Sequence, residues 1–246
     1  MNQTENFYVQ KRNYWLRFLH SLLDNKQVER EVLWKYFAPE RIPEIKLKVQ
    51  QQFEELLPQV PDFGRKTIDR FSFEMMKTVQ SLAFYRVLTA EGIPLRTFGQ
   101  IVFEIAEVGY RSPSPIAKLV MRARCYSPYF HRKMKRFLEE QKRSAGPEET
   151  QVDFVEGDGK NLLFGYNYTN CSAVYFLKKL DASEIHPYLC LCDYPMMRGL
   201  NIGFNREQNI AIGGSMCAVR VYRDYPTPRG WPPEEVPEYK NYRFGE

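Results

Sequence analysis

Four of the five cysteines in this 246-residue chain lie between positions 171 and 217. Cys171 comes first, Cys190 and Cys192 follow within HPYLCLCDYPMM (186–197), and Cys217 lies within GGSMCAVR (213–220). With 185–197 read as helix, Cys190 and Asp193 stand at i and i+3 and share a face, while Cys192 points elsewhere. A thiolate is a nucleophile, and a carboxylate beside it can orient a partner or move a proton. A carboxylate alone raises a thiol pKa, so such a pair needs a helix N-terminus or a cation to bring it down. Arg198 or Arg220 would supply that charge, or would bind a substrate carboxylate through paired N–H groups. His186 lies beside Pro187 and close to the cysteines, where it reads either as an acid/base group or as a helix-entry residue. Zinc is a competing use of such residues. The spacing Cys-x18-Cys-x-Cys-x24-Cys, however, lacks the close Cys pairs of structural zinc sites, so no metal is expected. On spacing alone the favoured reading is plainer still, namely buried and inert thiols.

Other chemistries find little footing. Gly157-Asp158-Gly159 and Gly213-Gly214 are not followed by a phosphate-loop lysine, and no GxGxxG, GxSxG or HExxH occurs. His20 and His131 read as interface or surface residues. The stretch 111–143 holds ten Lys and Arg against Glu139 and Glu140, interleaved with Tyr126, Tyr129, Phe130 and Phe137. Basic residues among aromatics suit nucleic acid or an acidic membrane. Here they read as the solvated face of a long helix with its aromatics buried, so neither nucleic acid nor membrane is expected as a partner. No apolar run approaches the ~20 residues of a membrane span. The first residues, MNQTENFYVQKRNYW, lack the apolar core of a secretory leader. Without a leader, an odd number of cysteines reads as free thiols in the cytoplasm.

The elements that must position these residues fall into two kinds. Apolar spacing predicts helices over 6–37, 44–57, 67–91, 95–110 and 115–142, the last kinked near Pro128. After SAGPEETQ (144–151) the pattern changes. Strands are predicted at 153–156 and 161–168 around a 157–159 hairpin turn, then a helix at 172–180 and another from 183 to about 197. Strands at 200–204, 208–213 and 217–223 follow, and the five prolines from Pro226 to Pro237 exclude regular helix and internal strand. Basic residues outnumber acidic ones in 1–150, whereas 151–246 is slightly acidic. The expected fold is α+β, with a helical N-terminal part (1–147) packed on a C-terminal antiparallel sheet with two or more helices. That α+β region (148–225) bears the cysteines and is followed by a proline-rich tail (226–246).

The C-terminal part resembles the L-2-amino-thiazoline-4-carboxylic acid hydrolase family. The match lies in a cysteine after a strand (Cys171 in YNYTNC), an aromatic helix (Tyr175, Phe176), Cys190 and Asp193 in EIHPYLCLCDY, and IAIGGSMCAVR with Cys217 and Arg220. It covers about 150–223, and it is similar more distantly to vinyl-reductase-type ligand-binding domains. Where the family pattern reads Cys-Asp-Phe-Arg, this chain reads Cys217-Ala218-Val219-Arg220. The resemblance implies hydrolytic opening of a cyclic amidine C=N bond in a small, carboxylated, sulfur-containing ring, without a cofactor. On that reading Cys190 or Cys171 is the nucleophile, with Cys217 in the same catalytic set. Asp193 and His186 handle protons, and Arg198 or Arg220, with Tyr188 and Asn201, bind the substrate. A non-catalytic binding or sensor domain and a tailoring enzyme of secondary metabolism are the rival readings. A homo-oligomer is compatible with all three.

Overall fold

A computed structural model describes residues 6–245, so part of the stretch read as lacking a leader lies outside the described residues. The first part is helical: α1 (Phe7–Gln10), α2 (Arg12–Leu23), α3 (Lys26–Glu31), α4 (Ile42–Leu56), α5 (Arg70–Ala90), α6 (Leu95–Arg111), α7 (Pro115–Cys125) and α8 (Pro128–Ser144). Then come β1 (Gln151–Glu156), β2 (Leu162–Asn170), α9 (Ser172–Lys179), α10 (His186–Leu191), α11 (Asp193–Gly199), β3 (Gly203–Arg206) and β4 (Cys217–Tyr222). The fold is α+β, as expected.

Local chemistry explains where the elements depart from the apolar periodicity. The single helix read over 6–37 is three helices and a 3-10 turn, and Asn25 divides α2 from α3 by accepting from the N–H groups of Gln27 at 2.9 Å and Val28 at 3.2 Å. The 115–142 helix divides at Pro128, with the Ser127 side chain capping α8. The helix read from 183 to about 197 breaks at Cys192, since the Pro195 ring has no N–H and would clash with the carbonyl of Leu191 in a continuous helix. The stretch 208–213, read as a strand, is a 3-10 turn. Asn209 accepts from the Ala211 N–H at 2.9 Å, and Gly213 takes a left-handed φ of 91°.

The sheet order is β1-β2-β4-β3, with every pair antiparallel. Tyr168 lies opposite Cys217, while Leu162 and Gly203 both lie opposite Tyr222. These two ends of the sheet are ~20 Å apart at the usual strand rise. Helices α5 and α6 serve two cores. Met76, Val79 and Phe98 pack with Trp15, Leu19, Val49 and Phe53, and Phe176 and Ile185 join them from the C-terminal part. Phe71 and Phe103 pack with Phe164, Tyr194, Phe204 and Val221. The proline-rich stretch adds Val236 and Tyr239, both fully buried, to this second core.

One glycine sets the approach of α6 to α10. A Cβ on Gly99 would sit 2.0 Å from the Tyr188 ring, and that ring is held among Trp231 and Phe244. Gly99→Ala is therefore expected to cost about 1–3 kcal/mol through overpacking, read as a lower denaturant midpoint with an unchanged slope. An unchanged midpoint would show that the two helices separate freely.

Candidate active site

The end of the sheet at Tyr168 and Cys217 meets α10, α11 and the buried C-terminal segment around one arginine. Arg206, the last residue of β3, has a side chain only 3% exposed. It pairs with Asp193 at the start of α11, with Glu238 Oε1 at 3.2 Å, and donates to the Cys190 carbonyl at 3.2 Å. Burial penalises its charge, but Glu238 and Asp193 outweigh that and hold it well above its ordinary pKa. Glu238 also accepts from the Tyr194 hydroxyl at 3.1 Å, yet burial pushes its pKa up. Asp193 is 42% exposed and is the point where this network meets solvent.

Cys217 joins from β4. Its Sγ accepts the Ile210 N–H at 3.3 Å and lies 3.6 Å from Asn209 Oδ1. Asn209 donates to the Tyr239 hydroxyl at 2.8 Å, and that hydroxyl donates to the Pro187 carbonyl at 3.2 Å. Burial pushes Cys190 up to about 12, with Asp193 reinforcing it and Arg206 opposing. Burial does the same to Cys217, also to about 12. Cys192 reaches about 12 as well, through burial and then Asp193, and its Sγ lies 3.7 Å from the Tyr188 carbonyl. Three of the four C-terminal thiols are thus protonated and held by local contacts.

Cys171 is different. It is half-buried, stands at the N-cap of α9, and its Sγ lies 4.0 Å from Nε2 of His186. Its side chain makes no capping bond to α9, so the sulfur is free for other work. His186 is buried at the start of α10, one turn before Cys190, so the two share a helix face. The Cys171–His186 pair therefore abuts the arginine network through α10. Alkylation at about pH 7.5 should modify Cys171 at least tenfold faster than Cys190, Cys192 or Cys217, followed by peptide mass spectrometry, because burial keeps the other three protonated. Equal rates at all four would contradict this assignment.

A stripe on α5 completes the surroundings. Arg70, Glu74 and Lys77, at i, i+4 and i+7, form a charged line on a helix whose other faces are largely apolar. Arg70 pairs with Glu74 at 2.7 Å, donates to the Tyr168 hydroxyl and covers the Tyr166 ring at 4.6 Å. Tyr168 and Asp193 lie within electrostatic reach of each other, as do Lys77 and Asp193. Lys77 makes no ion pair among the described residues; its one polar partner is the Tyr110 hydroxyl at 3.5 Å.

The residues named from the sequence divide accordingly. Cys190, Asp193 and Cys217 converge on Arg206, and Cys171 meets His186. Tyr188 faces the core, its hydroxyl donating to the Gly245 carbonyl at 3.2 Å. Arg220 is engaged by Asn167 at 2.9 Å, its neighbour's carbonyl at 2.8 Å and Glu207 at 3.5 Å. Arg198 pairs with Glu107, and with Asn201 it lines a separate cleft of about 350 Å³ that includes Arg122, Arg223 and Asp224. That cleft lies at the Gly203–Tyr222 end of the sheet, away from Cys217. Sequence reasoning missed Arg206, Asn209, Glu238 and Tyr239, which no local pattern links to the cysteines. It also passed over Arg70 and Lys77, although their seven-residue spacing on an apolar helix was a usable signal.

Among the described residues, no group of three or more His, Cys, Asp and Glu side chains is placed to hold a metal ion. No helix is long and apolar enough to cross a membrane. A family model described as L-2-amino-thiazoline-4-carboxylic acid hydrolase matches residues 73–221, which takes in α5 through β4 and all four C-terminal cysteines. No curated protein and no solved structure shows significant similarity to the chain.

Proposed function

We propose that this chain, which belongs to the L-2-amino-thiazoline-4-carboxylic acid hydrolase family, opens a small cyclic amidine by hydrolysis at a Cys171–His186 pair. The observation that supports this is the 4.0 Å approach of Cys171 Sγ to His186 Nε2 at the start of α9, against three other thiols whose pKa burial raises to about 12. His186 takes the thiol proton, and the Cys171 sulfur bonds to the amidine carbon of the protonated ring. The electron pair of the C=N bond moves to nitrogen. The exocyclic nitrogen then donates a pair to form a new C=N bond as the ring C–N bond breaks, and the ring nitrogen leaves with the proton from His186. Water then gives a proton to His186 as its oxygen bonds to the same carbon and the C=N pair returns to nitrogen; a C=O bond forms as the C–S bond to Cys171 breaks, and His186 returns its proton to the sulfur. The net change is addition of one water.

In this reading the Arg206 network positions α10, and with it His186, rather than supplying the nucleophile. Lys77 serves as the anchor for a substrate carboxylate, since Arg198 and Arg220 already have acidic partners. The same protonated thiols, together with Ala218 in place of the family's Asp, favour a second reading in which the site binds a small molecule without changing it. Incubation with 2-amino-thiazoline-4-carboxylate, followed by product analysis and intact-protein mass, separates the two. Ring-opened product that disappears in Cys171→Ala supports catalysis. A bound, unaltered ligand supports the sensor.

A further inference from the structure

Helix α7 is inside out. Of its eleven residues none is buried. Ile116, Leu119, Val120 and Ala123 stand at i, i+3, i+4 and i+7 and form one apolar stripe. That stripe faces outward: Ile116 is 76% exposed, Leu119 66% and Val120 56%. The half-buried side instead carries Lys118, Arg122 and Cys125. The neighbouring α8 behaves as its pattern requires, with Leu138 buried and Phe137 stacked on Phe71 at 5.8 Å. The exposed stripe therefore belongs to α7, contrary to the reading that the whole basic stretch buries its apolar side.

Charge indicates what covers it. No Asp or Glu occurs between Glu107 and Glu139, while Arg111, Lys118, Arg122, Arg124, Arg132, Lys133, Lys135 and Arg136 do. Beside α7, Arg122 and Arg223 both approach the Tyr126 ring, at 5.6 and 5.2 Å, and neither makes an ion pair with a carboxylate among the described residues. A second copy of the chain would bring the same basic surface against itself, which like charges oppose. An apolar stripe with a basic surround is the composition of a helix lying in an anionic lipid surface. We propose that α7 docks this protein on an anionic membrane surface, with Ile116, Leu119 and Val120 entering the headgroup boundary and the exposed Arg124 beside them facing the phosphates.

The test is co-sedimentation of the full chain with vesicles of phosphatidylcholine, with and without phosphatidylserine. Binding is expected only with phosphatidylserine, to weaken as salt rises, and to fall roughly tenfold in Ile116→Ser/Leu119→Ser. The double variant should melt like the parent, because α7 buries nothing. Equal binding to both vesicles, no binding to either, or a double variant that binds like the parent overturns the proposal. So does a dimer in light scattering that the double variant converts to monomer, since the face then belongs to a second copy.

Discussion

Cys171→Ala is expected to lower ring-opening turnover by about 10³-fold or more, the usual consequence of removing a covalent nucleophile. Cys190→Ala and Cys217→Ala are expected to stay within about tenfold of the parent, because each removes a thiol that burial keeps protonated. The comparison is clean at Cys171, whose side chain makes no capping bond to α9, so alanine does not loosen that helix. His186→Gln should lower kcat while leaving KM nearly unchanged, because it removes the group that accepts the thiol proton without touching the substrate anchor. If Cys171→Ala turns over substrate within tenfold of the parent, the nucleophile has been misassigned. If Cys190→Ala or Cys217→Ala is instead the inactive one with an unchanged melting temperature, the chemistry moves to the arginine network.

The largest stability effect is expected at Arg206. Replacing it with Met leaves Glu238, whose side chain is 1% exposed, without its opposing charge, and frees Asp193 and the Cys190 carbonyl as well. Breaking a buried ion pair from one side costs about 3–5 kcal/mol, or about 10 °C in melting temperature for a chain of this size. The loss should depend on pH in a definite direction. Burial already raises Glu238, and removing Arg206 takes away the charge that opposes this, so its folded pKa rises further. A group with a raised folded pKa supports the fold below its unfolded pKa, and that support is lost as pH rises through the folded value. The gap between variant and parent should therefore be smallest near pH 4.5, about the ordinary pKa of a glutamate, and widen toward pH 8. Adding Glu238→Gln to the variant should recover part of the loss. A gap that narrows with rising pH would show that Glu238 is charged and satisfied without Arg206.

The Arg206 prediction also explains how far the site could be read in advance. Asp193 and Cys190 were within reach of sequence reasoning because three residues on one helix fix their neighbourhood, and they stay together although the helix breaks at Cys192. Arg206, Asn209 and Glu238 arrive from β3, from a 3-10 turn and from the C-terminal segment, at separations that no periodicity encodes. The same holds for the thiols. Their number and order are in the sequence, but which of them is reactive depends on burial and on neighbouring charge.

By itself the sequence determined the α+β class, the hairpin turn at 157–159, most helices and the family. Each rests on local spacing: apolar period, turn glycines, prolines and the order of short motifs. Only the tertiary structure decided that α5 and α6 serve two cores, that the prolines of the tail lead Val236 and Tyr239 into one of them, and that α7 turns its apolar side outward. It also separated Arg198 and Asn201 from Cys217 by placing them at opposite ends of one sheet. Periodicity shows that a helix has an apolar face, but which way the face turns is set by what the rest of the chain leaves for it to pack against.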